Sequence, residues 1–424
     1  MTNKLNPPGG GCNEEESAKT LTVAAARETI LASCVSVSGI EKLALRDALG
    51  RALAADIISP VNVPGHTNSA MDGYAISGND IPGDEPRGFK VIATAYAGKP
   101  VSLSCGPGEC VRIMTGAPMP AGTDTVVMQE QVDINAAGHA LIGSGHRPGQ
   151  NVRRAGEDIL KGSTVLESGR SLTPADLGVL ASLGIFEVSV YRRPRVAFFS
   201  TGDELRSAGE PLGEGELYDS NRYSLYGMLK KLDVEILDMG NISDNPAELR
   251  SVFKSAARMA DMVISSGGVS VGEADHTKSI LAEIGNINFW KIAMKPGRPL
   301  TFGYLDNALF FGLPGNPVAV MVTFYQFVLP ALHYMATARP YVPFQVQAVA
   351  RDPFRKRPGR FEFARGILKQ APYGTLSVAS TGQQGSGILT SMSTGNCFVL
   401  LPEQSAGINR GETVQVQPFD LFSA

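Results

Sequence analysis

The stretch DMVISSGGVSVGEADHTKSI, residues 261–280, begins apolar and β-branched, breaks into glycines, and turns acidic where a helical pattern starts. Glycines that open a helix let backbone N–H groups approach a phosphate, and the helix dipole adds to the attraction. For an isolated cluster, a tight turn is the commoner use. The loop is neither GxxxxGK followed by Ser or Thr nor GxGxxG, so it indicates neither a P-loop nor a dinucleotide fold. Glu273 and Asp275 have two readings. They complement a helix N-terminus, or they hold a hard cation such as Mg2+, which takes carboxylate oxygens and substrate phosphates.

Three further segments carry chemistry-bearing residues just after a short apolar run. RVAFFS leads into Thr201, Gly202, Asp203 and Glu204. INFWKIAM leads into Lys295, Pro296, Gly297 and Arg298. ALFFGL leads into Pro314, Gly315, Asn316 and Pro317, with Pro317 expected at the first helical position. Lys291 and Lys295 are four apart on an extended segment and are expected to face one side. With Arg298 they make a basic edge suited to an oxyanion or a phosphate. A solvated surface run is the plainer reading, weakened because Lys291 follows Phe-Trp in an apolar strand. Asp244, in Asp-Asn-Pro, reads first as a helix start. Asp72 in NSAMDGYA reads first as an Asx-turn aspartate, and Thr115 in MTGAPMPAGTD lies in a Gly/Pro loop. Neither Asp72 nor Thr115 says anything alone, but the four strand-end segments together predict a Mg2+-assisted site for a phosphorylated small molecule, with carboxylates and cations on one rim.

The elements that must position them follow from the rhythm of the chain. Residues 187–341 alternate short apolar strands with helical stretches (SNRYSLYGMLKKL, with Ser220 as candidate N-cap; NPAELRSVFKSAARM; DHTKSILAEIG), the pattern of a parallel sheet covered on both faces. Ligands of such sheets bind outside the carboxyl ends of the strands, which is where all four segments fall. Residues 18–59 and 158–186 read as a helical linker domain, from LTVAAARETILASC, EKLALRDALGRALAADI and LTPADLGVLASLGI. Residues 60–157, rich in Gly and Pro with short apolar runs, read as an inserted β-rich domain. Residues 342–424 read as a small β-barrel or sandwich. The fold class is multi-domain α/β plus β around a doubly wound parallel-sheet core.

Composition sets limits. The 424 residues carry a net charge of −3 with a pI near 6.0, which argues against a nucleic-acid footprint. Cys12, Cys34, Cys105, Cys110 and Cys397 are scattered with no CxxC, so neither a zinc site nor a disulfide framework is expected and a reducing compartment is favoured. The first 17 residues lack an apolar signal core and read as a disordered tail. The run PVAVMVTFYQFVLPALHYMA, 317–336, approaches membrane-spanning length, but Thr323, Gln326, Pro330 and His333 interrupt it. A buried core helix is expected.

Taken together, NSAMDGYA, RIMTGAPMPAGTDTVVMQE, FFSTGDEL, YDSNRYSL, VISSGGVSVGEAD, KPGRPLTFG and GLPGNPV resemble the molybdopterin molybdenumtransferases of the MoeA type, whose animal relative is the C-terminal domain of gephyrin. The motifs occur in the family's order. The resemblance covers about residues 18–424 and implies a cytoplasmic enzyme that inserts molybdate into adenylylated molybdopterin with Mg2+, releasing AMP and forming the molybdenum cofactor. It implies a homodimer whose site lies between the αβ domain of one subunit and the inserted β domain of the other, a C-terminal β-barrel, and a contact with the adenylyltransferase of the preceding step.

Position by position, the resemblance implies catalytic roles for Asp72, Glu204, Asp275, Lys291 and Lys295. It implies substrate contacts for Thr115, Gly267, Gly268, Ser270, Arg298, Pro314, Asn316, Arg365 and Ser386, and a metal role for Asp203, Asp244 and Asp275. Asp72 and Thr115 would complete the partner's site. Two residues depart from the family pattern: Ala319 stands where a serine is frequent, and His276 where an aromatic residue follows the acidic motif. The nearest alternative is a molybdopterin adenylyltransferase, against which the two β domains and NSAMDGYA argue. A non-catalytic scaffold is the other, against which the retained acid and lysine set argues.

Overall fold

The computed structural model describes residues 20–267 and 275–420, without the side chains of Asp275 and His276. The expected N-terminal tail, Cys12, Gly268, Ser270 and Glu273 lie outside the described residues. The chain forms two compact units, one of residues 42–190 and one of the segments on either side.

In the unit made of the flanking segments, a seven-stranded sheet is the core. Its elements in chain order are β1 (Thr20–Leu21), α1 (Val23–Ser33), β2 (Arg195–Thr201), α2 (Ser220–Lys230), β3 (Glu235–Ile242), α3 (Pro246–Met259), β4 (Met262–Ser266), α4 (Asp275–Ile284), β5 (Gly285–Ile292), β6 (Pro299–Leu305), β7 (Ala308–Leu313) and α5 (Pro317–Thr323). The strand order is β1-β5-β6-β7-β4-β2-β3. β7, β4, β2 and β3 run parallel, as the alternating pattern predicts. β6 is antiparallel to both its neighbours and was not read as a strand in the sequence. Its first residue is Pro299, whose lack of an N–H is tolerated at a strand start, so KPGRPL disguises the strand as loop. Because β6 reverses direction, the chain between β5 and β6 turns at the same rim as the carboxyl ends of β2, β4 and β7.

Both sheet faces are covered. One buries Phe198, Ile264 and Phe311 against α1, α2 and α5. The other buries Phe199, Val263 and Phe310 against α3 and α4. Helix starts are specified locally: Thr22 caps α1, Asn245 accepts from two N–H groups of α3 with Pro246 following, and Asp219, one residue before the expected Ser220, caps α2. The apolar run is a buried core element: 72% of its most apolar 18-residue window is buried. It passes from α5 through a π-helical turn, Phe324–Val328, into a helix at Leu329–Thr337. The wide turn precedes Pro330, which cannot donate a helical hydrogen bond. Gln326 is buried within that turn because Arg27 donates to its backbone and side-chain oxygens.

The C-terminal part is a closed five-stranded barrel of β8 (Val346–Ala350), β9 (Phe361–Gln370), β10 (Leu376–Ser380), β11 (Cys397–Leu401) and β12 (Thr413–Pro418), in the order β9-β10-β8-β12-β11 with β11 back on β9. The pair Met294–Lys295 adds to its edge, with Lys295 in register with Glu362. These strands match the short apolar runs predicted for 343–424.

The unit of residues 42–190 contains a six-stranded sheet with Thr125–Met128 at one edge and Gly73–Ile76, Glu109–Ile113 and Arg87–Ala95 following it inward. The segment EKLALRDALGRALAADI is a correction to the sequence reading. It forms the strand Ile40–Ala44 and a 3-10 turn at Leu45–Ala48, not a helix. Its residues have good helix propensity, but Ala48 and Leu53 are buried against Leu166, Leu172 and Leu180, and packing overrides propensity. Of the helical reading for 158–186, only Pro174–Ser182 is a helix, while Thr164–Leu166 is a strand.

Candidate functional site

Gly267 ends β4 with φ +86°, and a Cβ there would lie 2.6 Å from the Thr201 backbone oxygen. Only glycine lets β4 and β2 deliver their loops side by side, which explains the break in VISSGG. Asn221, near the start of α2, donates to Ser266 Oγ (2.9 Å) and to the Gly315 carbonyl (2.8 Å). It therefore ties the ends of β4 and β7 together. Sequence reasoning passed over Asn221, although it sits inside the quoted YDSNRYSL motif.

Along this rim, among the described residues, the buried atoms Ser200 Oγ, Thr201 Oγ1, Ser265 Oγ, Asn221 Oδ1 and Asn241 Oδ1 have no hydrogen-bond partner. Buried polar groups are ordinarily satisfied, so these atoms mark the strand ends as a polar part of an otherwise apolar sheet.

The acids gather beside it. The Asp244 N–H donates to Asp203 Oδ1 at 3.1 Å. Partial burial, followed by the charges of Asp203 and Glu204, pushes the Asp244 carboxyl above its ordinary value. Among the described residues no three metal-ligating groups converge into a complete cage. Mg2+ does not require one, since it binds one or two carboxylates and fills its octahedron with water and phosphate oxygens. Asp203 and Asp244 are the two carboxylates on this rim whose crowding could be offset by such a cation.

The basic side is a cavity of about 390 Å³ between the β5–β6 turn, the turn into α5 and a barrel loop. Lys295, Arg298, Pro314, Asn316 and Ser386 line it, so five of the expected residues converge, and Ala319 contributes to its wall. A serine at 319 would face this space. Gly297 (φ +92°) presses on α5, where a Cβ would come 2.7 Å from Thr323 Cγ2. Arg360 and Gln384 also line the cavity. Both were missed, Arg360 because FRKRPGR reads as a solvated charge run.

Two expected contacts fall elsewhere. Lys291 does not line the cavity. It lies on β5 opposite Pro299, and the extended run breaks at Ala293 before Lys295 enters the barrel edge, so the two lysines are not on one continuous strand. Arg365 is 1% exposed and donates to Ser391 Oγ (3.0 Å) and the Gly385 carbonyl (3.1 Å). Burial lowers its pKa to about 10, with Glu362 acting the other way. Arg365 thus holds the loop that presents Gln384 and Ser386. The Ser386 carbonyl in turn accepts from Val318 N (3.1 Å) in the first turn of α5. Lys295 Nζ donates to Glu362 at 2.9 Å, where the carboxylate side chain is 8% exposed and the lysine 46%.

In the other unit, Asp72 Oδ1 accepts from both the N–H and the hydroxyl of Thr115, each at 2.7 Å. These bonds, the backbone one first, hold the Asp72 carboxyl below its usual range, with Arg112 adding to the effect. Two residues 43 positions apart, each uninformative alone, are therefore one constellation. Gly73 is obligatory beside it, because a Cβ there would overlap the Val127 carbonyl oxygen. The described cysteines, Cys34, Cys105, Cys110 and Cys397, are all buried free thiols.

Comparison with known proteins agrees with the order of these parts. The MoeA N-terminal region (domain I and II) matches residues 21–184, a probable molybdopterin binding domain matches 197–334, and the MoeA C-terminal region (domain IV) matches 347–419. The molybdopterin molybdenumtransferase of Haemophilus influenzae is 45% identical over 94% of this chain and 99% of its own length. That of Nostoc sp. is 36% identical over 87% and 86%. The crystal structure of the molybdopterin biosynthesis moeA protein from Pyrococcus horikoshii OT3 superposes with a TM-score of 0.83 at 30% identity, covering 95% of this chain and all of that one. With a glycine-ended strand, an acidic rim and a cation-lined cavity in the same order as these matches, the chain belongs to the MoeA family.

Proposed function

We propose that the protein is a molybdopterin molybdenumtransferase, inserting molybdate into adenylylated molybdopterin with release of AMP to form the molybdenum cofactor. The observation that carries this reading is the cavity in which Lys295, Arg298, Arg360 and Ser386 meet, with the acids Asp203, Glu204 and Asp244 at the ends of strands of the same sheet. Its cations suit a tetrahedral oxyanion, and the rim suits an adenylate phosphate with its cation.

In this reading Lys295 and Arg298 hold the oxyanion and offset negative charge that develops during transfer. Asn316 and Ser386 orient it through hydrogen bonds, and Gly267 with Gly268 and Ser270 approaches the substrate phosphate. Asp203 and Asp244 would hold Mg2+, which supplies charge neutralisation at the phosphates, and Glu204 and Asp275 orient the reacting groups. Lys291 acts from the rim of β5. Asp72 and Thr115 serve the site of a second subunit in a cytoplasmic homodimer, and an adenylyltransferase hands over the substrate. Family membership supports these assignments.

The test is reconstitution. Purified protein is mixed with adenylylated molybdopterin, Mg2+ and molybdate, and AMP release is followed. Molybdate-dependent release with active cofactor formed is expected. AMP transfer from ATP onto molybdopterin instead would make the protein the adenylyltransferase of the preceding step. Tight molybdopterin binding without either activity would make it a scaffold.

A further inference from the structure

A second cavity, of about 370 Å³, adjoins the first and is lined by Lys295, Arg355, Lys356, Arg357, Arg360 and Glu362. Lys295 and Arg360 belong to both cavities. The cations are not equivalent. Lys356 donates to the carbonyls of Pro402, Glu403 and Ser405, so its ammonium is spent on the backbone. Lys295 is engaged by Glu362, the one acid in the lining. Arg355, Arg357 and Arg360 are exposed, and among the described residues their guanidinium groups make no ion pair.

Exposed arginines are ordinarily solvated and unremarkable. Here they line a concavity on a fixed frame. Arg355 pairs with Gly407, where a Cβ would come 2.2 Å from the Phe354 carbonyl oxygen. Gly359 N–H is held by the Glu403 carbonyl, and Phe361 N–H by the Ala293 carbonyl. The segment is thus anchored at both ends, and three unneutralised guanidinium forks converge on a space continuous with the cavity described above. A cleft lined by one sign of charge raises the local concentration of the opposite ion, and guanidinium matches an oxyanion in geometry as well as charge.

We propose that this arginine-lined cavity is a second oxyanion site, which captures tetrahedral dianions from solution and passes them by way of Arg360 and Lys295 into the first cavity. The role rests on reading the first cavity as the oxyanion site of the transferase. The net charge of −3 makes such a site useful, because the molecule as a whole repels the anion it must collect.

The test is equilibrium dialysis of molybdate against the intact protein at low ionic strength, with the thermal transition as a control for folding. Two bound equivalents are expected, the weaker one falling steeply with salt. In Arg355→Gln/Arg357→Gln the weaker equivalent should lose at least about tenfold in affinity, the lower end of what a focusing cleft contributes, while the tighter one is kept. Sulfate should compete at the weaker site.

One equivalent in the unaltered protein, or two unchanged equivalents in the folded variant, overturns the proposal. Displacement of the weaker equivalent by AMP but not by sulfate assigns the cavity to a substrate phosphate and overturns the capture role. The activity reading fails separately. A protein that binds two oxyanions but never releases AMP refutes the transferase, whereas an active one that binds a single equivalent refutes only the second site.

Discussion

Lys295 connects stability and chemistry, and the two can be separated by mutation. Its ammonium stands 2.9 Å from Glu362, whose side chain is 8% exposed while that of the lysine is 46% exposed. Removing one partner of a fully buried ion pair costs about 3–5 kcal/mol, because the other charge stays behind unpaired. Water already reaches the lysine side, so screening brings the expected cost of Lys295→Ala down to about 2 kcal/mol. At about 2–4 °C per kcal/mol for a domain of this size class, the transition should fall by about 4–8 °C. If Lys295 also steadies the oxyanion, turnover should fall by about 10²–10³-fold, the loss seen when a preorganised donor is deleted.

The double variant Lys295→Ala/Glu362→Gln distinguishes the effects. It replaces the stranded carboxylate by a neutral amide and should recover most of the lost thermal stability, while AMP release remains as low as in the single variant. Differential scanning calorimetry and the reconstitution assay read the two quantities independently. Recovery of turnover along with stability would show that Lys295 acts only as a structural partner of Glu362. An unshifted transition in the single variant would refute the energetic argument about the buried acid.

Other outcomes follow from the same geometry. The Asp244 carboxyl is raised by partial burial and by Asp203 and Glu204. Its contribution to stability is therefore present below the unfolded carboxylate pKa and is lost as pH rises through the folded value. Thermal scans should show Mg2+ stabilising the protein more at pH 7 than at pH 5, and Asp244→Asn should raise the metal-free transition at pH 7 while shrinking the Mg2+ effect. Thr115→Val removes the hydroxyl bond to Asp72 but keeps the backbone one, so the Asp72 carboxyl should titrate higher by NMR, part of the way to its ordinary value, with no unfolding. Gly267→Ala forces a Cβ at positive φ to within 2.6 Å of a backbone oxygen; it should cost more than about 1 kcal/mol in denaturant titrations, the gain a compatible site would have given.

The layered core and the barrel strands were legible because their signals are local: apolar runs of strand length, helix caps such as Asn245-Pro246, and glycines at strand ends. What stayed hidden depended on depth or on distant pairing. β6 was masked by its opening proline, and EKLALRDALGRALAADI was misread because its neighbours in space, Leu166, Leu172 and Leu180, are more than a hundred residues away. Motif resemblance named Arg365 but could not say that it is buried behind the loop it supports. The bond between Asp72 and Thr115 had no sequence signal beyond two unremarkable turns. Arg360 and Asn221 were overlooked because a charged turn and a polar helix start each have a sufficient ordinary explanation.

The Ser386 carbonyl on Val318 N–H, with Lys295 in register with Glu362, makes the barrel a structural participant in the core beside it. The barrel is therefore not an exchangeable module. A chain stopped after Thr337 would lose Ser386, Gln384 and Arg360 together and leave the first turn of α5 uncapped, so the truncated core would keep its sheet but only part of the cavity wall. Exchanging barrels among relatives would transplant functional residues as well as bulk. Such chimaeras should work only when residues 294–298, 316–319 and 360–386 come from a common parent, so that these separate stretches of chain are inherited as one unit.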